Sequence, residues 1–146
     1  MAMIRRQVLV TAPAALVWDA VRDVGALHTR LVPGFVVATR LEPGLRIVTF
    51  ASGRVLRERI VACDDAARRL VWAIEDPWLA HHNGALEVEE AAAGEAGCRV
   101  TWTADLLPDD RAAQVGPMME RGLAVMKATL EAAAAPGQPA GDGTML

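Results

Sequence analysis

Two residues in this chain pair reactive chemistry with an unexpected position in the pattern around them: Glu58 and His82. A carboxylate and an imidazole held beside a carbonyl can supply the base and the acid of proton-transfer catalysis. They can equally orient the polar end of a bound molecule. Alternate residues of a strand face opposite sides. In the run 54–64, Leu56, Ile60 and Ala62 share a face with Glu58, while Arg57 and Arg59 face away. In 82–90, Leu86 and Val88 set the apolar face, and counting back by twos adds Gly84 and His82. His81, Asn83, Glu87 and Glu89 then fall on the other side. A bulge near Gly84 would exchange His81 for His82.

A carboxylate on a buried face is costly unless it is paired or hydrated. Glu58 therefore looks into a wet cavity, reaches solvent at a strand end, or pairs with a nearby arginine. His82 is a satisfied core or rim histidine, or a ligand contact. The same parity turns Leu70, Trp72 and Ile74 inward from 68–76, and Val100, Trp102 and Ala104 inward from 98–106. Arg99, Thr101, Thr103 and Asp105 are expected to face water.

Other chemistries find little support. Adjacent strand histidines point opposite ways and no third ligand stands at useful spacing, so His81-His82 is no metal motif. Cys63 and Cys98 match no metal or disulfide framework and are expected to be small buried apolar residues. A net charge of -3, two Phe and no Tyr offer neither the basic footprint nor the stacking platform of a nucleic-acid binder. The N-terminus lacks the uninterrupted apolar stretch of a signal peptide, and no run is long enough to span a membrane. The expectation is a cytoplasmic protein with no stable membrane insertion.

The elements that must position Glu58 and His82 follow from periodicity. Residues 4–11 alternate roughly, with Ile4, Val8 and Val10 on one side and Arg6 and Leu9 breaking the pattern. Pro13 suits the first turn of a helix that carries Leu16, Val17, Ala20, Val21 and Val24 at helical spacing. Asp23 is placed to cap a second short helix over 24–30, which Pro33-Gly34 stops. Period two then runs through 35–42, 45–51, 54–64, 68–76, 82–90 and 98–106, with short turns between, as in an antiparallel meander. Pro108-Asp109-Asp110 is a capping sequence for a long last helix, with a bend expected at Gly116-Pro117. Its apolar stripe is Val115, Met118, Met119, Leu123, Met126 and Leu130. The tail 136–146, rich in Pro and Gly, is expected to be disordered.

The prediction is an α+β fold: a curved seven-stranded antiparallel sheet around a long C-terminal helix, with two short helices between strands 1 and 2. Residues 1–135 form one domain. Where curvature is strongest, sheet and helix leave room for a ligand. Its expected walls are Leu56, Glu58, Ile60, Trp72, Ile74, His82, Leu86 and Trp102 from the sheet. Met118, Met119 and Met126 face them from the helix, as plain core or as an adaptable wall. Trp18 packs between first helix and sheet; Trp78 anchors a loop or covers the cavity mouth.

The segments TAPAALVWDAVRDVGALHTRLVPGF, GRVLRERIVACDDAARRLVWAI, AHHNGALEVE, CRVTWTADLLPDD and PMMERGLAVMKATLE resemble the polyketide cyclase/dehydrase-like branch of the START / birch-pollen-allergen (SRPBCC) superfamily. The resemblance implies a helix-grip fold with an apolar pocket between sheet and C-terminal helix. Arg57-Glu58-Arg59-Ile60 followed by Asp64-Asp65 is similar to a stretch of plant abscisic-acid receptors, whose Glu faces the pocket within a water network. The chain departs from aromatase/cyclases in lacking Tyr and in placing Ala12 where a helix-capping Ser or Asp is usual.

Two functions remain. The first is binding of a small hydrophobic or amphipathic ligand, lipid-like or polyketide-like, without a cofactor. The second is a cyclase, aromatase or dehydratase using Glu58 and His82 as acid and base. An interaction module would expose a broad apolar patch, which the Arg- and Glu-rich outward faces argue against. A homodimer is compatible with either function.

Overall fold

The computed structural model describes residues 1–135; the tail expected to be disordered, 136–146, lies outside the described residues. Strand β1 (Ala2–Val10) leads into helix α1 (Ala14–Arg22), a 3-10 turn (Val24–Ala26) and a π-helical turn (Leu27–Leu31). Then come β2 (Val36–Glu42), β3 (Leu45–Phe50), β4 (Val55–Asp64), β5 (Arg69–Glu75), β6 (His81–Glu90) and β7 (Cys98–Leu107). A 3-10 turn (Asp109–Arg111) opens the closing helix α2 (Ala112–Ala134). The strands make one antiparallel sheet in the order β1-β7-β6-β5-β4-β3-β2. The short helices carry the chain from one sheet edge to the other, and α2 packs across the concave face: a helix-grip fold. No helix among the described residues is long and apolar enough to cross a membrane.

Sequence chemistry explains most boundaries. The Pro13 carbonyl accepts the N–H groups of Leu16 and Val17, so α1 starts directly after it. Val17, Trp18, Ala20 and Val21 give α1 its buried face, and Trp18 is tied down by its Nε1–H donating to Asp65 Oδ1 at 2.9 Å. Gly44 and Gly53, at φ of 71° and 91°, supply the left-handed residues of the turns into β3 and β4.

The two carboxylates read as helix caps do not cap. Asp23 makes no cap bond; its Oδ2 accepts from Arg30 Nη1 at 3.0 Å. Val24–Ala26 forms a 3-10 turn and Leu27–Leu31 a π turn in place of the regular helix expected over 24–30. Asp109 likewise makes no cap bond and pairs with the N-terminal ammonium at 2.7 Å. Helix α2 is continuous through Gly116-Pro117.

The core lies between sheet and helices. Its larger cluster includes Val17, Val21, Leu70, Trp72, Leu86, Val100, Leu123, Met126 and Leu130; a second joins Ile4, Leu79, Ala104, Leu106, Val115 and Met119. On β1, Arg6 keeps the inward parity and extends to Glu120 of α2 at 2.8 Å. Three expectations need correction. The β4–β5 register shifts between Ile60 and Ala62, so Ala62 is exposed. Cys63, near the exposed end of β4, is exposed, whereas Cys98 is buried. Thr101, expected to face water, is buried under Gln7, whose side-chain amide donates to its hydroxyl at 3.0 Å.

Candidate functional site

Between the inward faces of β3 to β7 and α2 lie two adjoining spaces. An opening of about 430 Å³ has Phe35, Phe50, Leu56, Ile74, Trp78 and Met118 among its walls and Ser52, Arg54, Gln114 and Arg121 at its polar positions. Behind it, an inner space of about 60 Å³ reaches Arg46, Glu58, Trp72, His82, Trp102 and Met126. Phe35, Phe50, Leu56, Ile74, Val115 and Met118 line both, so they form the neck. A buried water needs roughly 10–15 Å³ of such volume. The inner space therefore suits a few waters or one end of a ligand, and the opening suits its body.

Most of the residues expected as walls line one or both of these spaces. Leu56, Ile74 and Met118 line both spaces, and Glu58, Trp72, His82, Leu86, Trp102 and Met126 line the inner one. Ile60, half-buried against the larger core cluster, lines neither. Met119, wholly buried in the second cluster, is core. His82 is inward and His81 exposed.

Glu58 is held by a residue that sequence reasoning overlooked. Arg46 stands directly opposite on β3, donating from Nε at 2.9 Å and approaching from Nη2 at 2.8 Å, both to Oε1. Their side chains are only 4% and 7% exposed, so the charges neutralise each other inside the protein. The signal was present: Arg46 has the parity of Val48 and Phe50, the inward face of β3. The Arg46 guanidinium also lies 5.9 Å from the Trp72 ring centroid, a cation–π distance.

His82 Nδ1 accepts the backbone N–H of Ile74 at 3.1 Å, beyond the last ladder pair of β5 and β6. Burial, with His81 nearby, lowers its pKa to about 4. At neutral pH the ring is uncharged, and its bound Nδ1 leaves the proton on Nε2. Gly84 makes room for this arrangement, since a Cβ there would stand 2.9 Å from His82 Cε1 and 3.0 Å from Trp72. Gly122 of α2 does the same for Trp102, whose ring would meet a Cβ at 2.9 Å. Trp102 Nε1 is the buried side-chain polar atom left without a partner among the described residues. Glu58 and His82 thus each engage another group, Arg46 and the Ile74 amide.

Trp78 lines the opening, with Arg54 and Arg111 over its ring at 4.7 and 5.0 Å from the centroid. Trp18 lines neither space. No group of three or more metal-ligating side chains occurs among the described residues.

The family described as polyketide cyclase / dehydrase and lipid transport matches residues 1–132. No protein of curated function matches the chain in sequence. Among solved structures, a Thermobifida fusca protein is 33% identical, with a TM-score of 0.70 over 92% of this chain and 93% of that one. The di-domain ARO/CYC BexL from the BE-7585A biosynthetic pathway is 25% identical with a TM-score of 0.72, covering 93% of this chain. This chain spans 48% of BexL's length. Truncated norcoclaurine synthase from Thalictrum flavum, at 18% identity and a TM-score of 0.68, covers 92% of this chain and 94% of its own. That last likeness is one of fold.

Proposed function

The chain belongs to the polyketide cyclase/dehydrase and lipid transport family, and from that premise we propose that it binds a small hydrophobic or amphipathic molecule, lipid-like or polyketide-like, between sheet and α2. The observation that carries this reading is the apolar-walled opening of about 430 Å³ with an inner extension holding few polar groups. Binding pockets run to roughly 300–1,000 Å³ with just such a lining. Burying about 300 Å² of ligand at ~25 cal/mol/Å² supplies several kcal/mol before association costs. The test is to purify the protein natively and analyse what it releases on unfolding by mass spectrometry. A stoichiometric apolar compound supports the reading. A protein that releases nothing, and that binds no amphipathic probe afterwards, refutes it.

A second reading, a cyclase, aromatase or dehydratase, draws on the likeness to BexL and on Glu58 and His82 lining one inner space. The geometry favours binding, because Arg46 holds the carboxylate and the Ile74 amide holds the imidazole. A catalytic pair would make Glu58→Gln and His82→Asn abolish turnover while retaining ligand.

A further inference from the structure

Charge changes along the length of the cavity. Its opening is lined by Arg54 and Arg121, and a third guanidinium, Arg111, sits over Trp78 beside them. Among the described residues, one carboxylate pairs with this group: Asp76 Oδ2 accepts from Arg54 Nη2 at 3.3 Å and from the Trp78 N–H at 2.9 Å. Arg121 is exposed and forms no ion pair among the described residues. The inner end is different. Arg46 and Glu58 cancel one another, and His82 is uncharged at neutral pH. An anion entering that end would lose hydration without meeting net positive charge, which is costly. The mouth offers an anion two guanidinium forks in reach of water, and such forks match a carboxylate in shape and donor spacing. Trp102 is among the residues that line the inner end, and its Nε1–H is buried and unpartnered among the described residues. A buried donor without an acceptor is destabilising until a neutral oxygen reaches it.

We infer that the cavity takes an amphipathic carboxylate lengthwise, with its carboxylate at Arg54 and Arg121, its apolar body along Phe35, Phe50, Leu56 and Met118, and a neutral carbonyl or hydroxyl oxygen at Trp102. This rests on the binding function proposed above and adds the ligand's class and direction.

The test compares decanoate with decanol by titration calorimetry at pH 7.5 and low salt. Decanoate binds about tenfold more tightly, and added salt narrows the gap because the mouth is open to screening. Arg121→Gln, a change at an exposed side chain, weakens decanoate roughly three- to tenfold and leaves decanol unchanged; adding Arg54→Gln weakens it further. Equal binding of the two probes overturns the inference and leaves the binding reading standing. So does a gap indifferent to both salt and Arg121. Failure of both probes to bind overturns the binding reading as well. For the inner end, omega-hydroxydecanoate outbinds decanoate, and Trp102→Phe removes that advantage. An advantage that survives the substitution overturns the role of Trp102.

Discussion

Acid should weaken this protein through His82 before it touches the carboxylates. The folded imidazole protonates at about 4, against an ordinary value of 6.5. Between those values the unfolded chain takes up a proton that the folded one refuses. Stability is therefore intact above about pH 6.5 and falls as the pH drops toward 4. The gap of about 2.5 pH units, at 1.36 kcal/mol each, amounts to about 3 kcal/mol. That is a large share of the ~5–15 kcal/mol typical of a domain. The comparison protein is His82→Asn, whose amide oxygen can still accept the Ile74 N–H but does not titrate. Urea unfolding followed by far-ultraviolet circular dichroism, at half-unit steps from pH 7.5 to 4, gives the free energies. Between pH 6.5 and 4 the wild type should lose about 3 kcal/mol more than the variant loses. Glu131, whose pKa is lowered to about 2 chiefly by Lys127, loses its contribution only below its ordinary 4.5, and equally in both proteins. Parallel curves between pH 6.5 and 4 would refute the burial of a neutral His82.

Other consequences are as direct. Glu58→Gln leaves Arg46 charged and uncompensated in the interior and should cost about 3–5 kcal/mol in urea unfolding, whereas Arg46→Met with Glu58→Leu together should recover most of it. Gly84→Ala pushes a methyl against His82 and Trp72 and should cost about 1–3 kcal/mol by the same assay. Trp102→Phe removes an unpartnered buried donor, so urea unfolding should show stability unchanged or higher by about 1 kcal/mol. Met118→Trp fills the neck between the two spaces and should abolish decanoate binding in calorimetry without loss of the circular dichroism spectrum.

Strand parity carried the reading as far as local pattern can. Leu56, Glu58, Trp72, Ile74, His82, Leu86 and Trp102 all face inward because alternation holds in β4 to β7 near the site. It failed at Ala62, where a bulge answers to the register between β4 and β5, which no local pattern records, while the burial expected of Cys63 rested on residue type and not on parity. Ile60 and Met119 have the right parity or stripe but lie beyond the cavity's reach. Arg46 escaped attention because a lone arginine in a strand looks like a solvent residue until its partner across the ladder is known. The caps at Asp23 and Asp109 failed for a related reason: each carboxylate had a cation closer to hand, Arg30 in one case and the N-terminal ammonium in the other. Gly84 and Gly122 owe their roles to rings that arrive from distant segments.

The chain's four tryptophans allow a sharp test of where a ligand sits. Trp72, Trp78 and Trp102 line the two spaces, while Trp18 is bonded to Asp65 away from them. Titrating decanoate into nitrogen-15-labelled protein and following the indole N–H resonances by NMR should move the first three and leave Trp18 in place. Movement of Trp18 alone, or saturation binding that shifts none of the other three, would place the ligand outside the sheet–helix cavity.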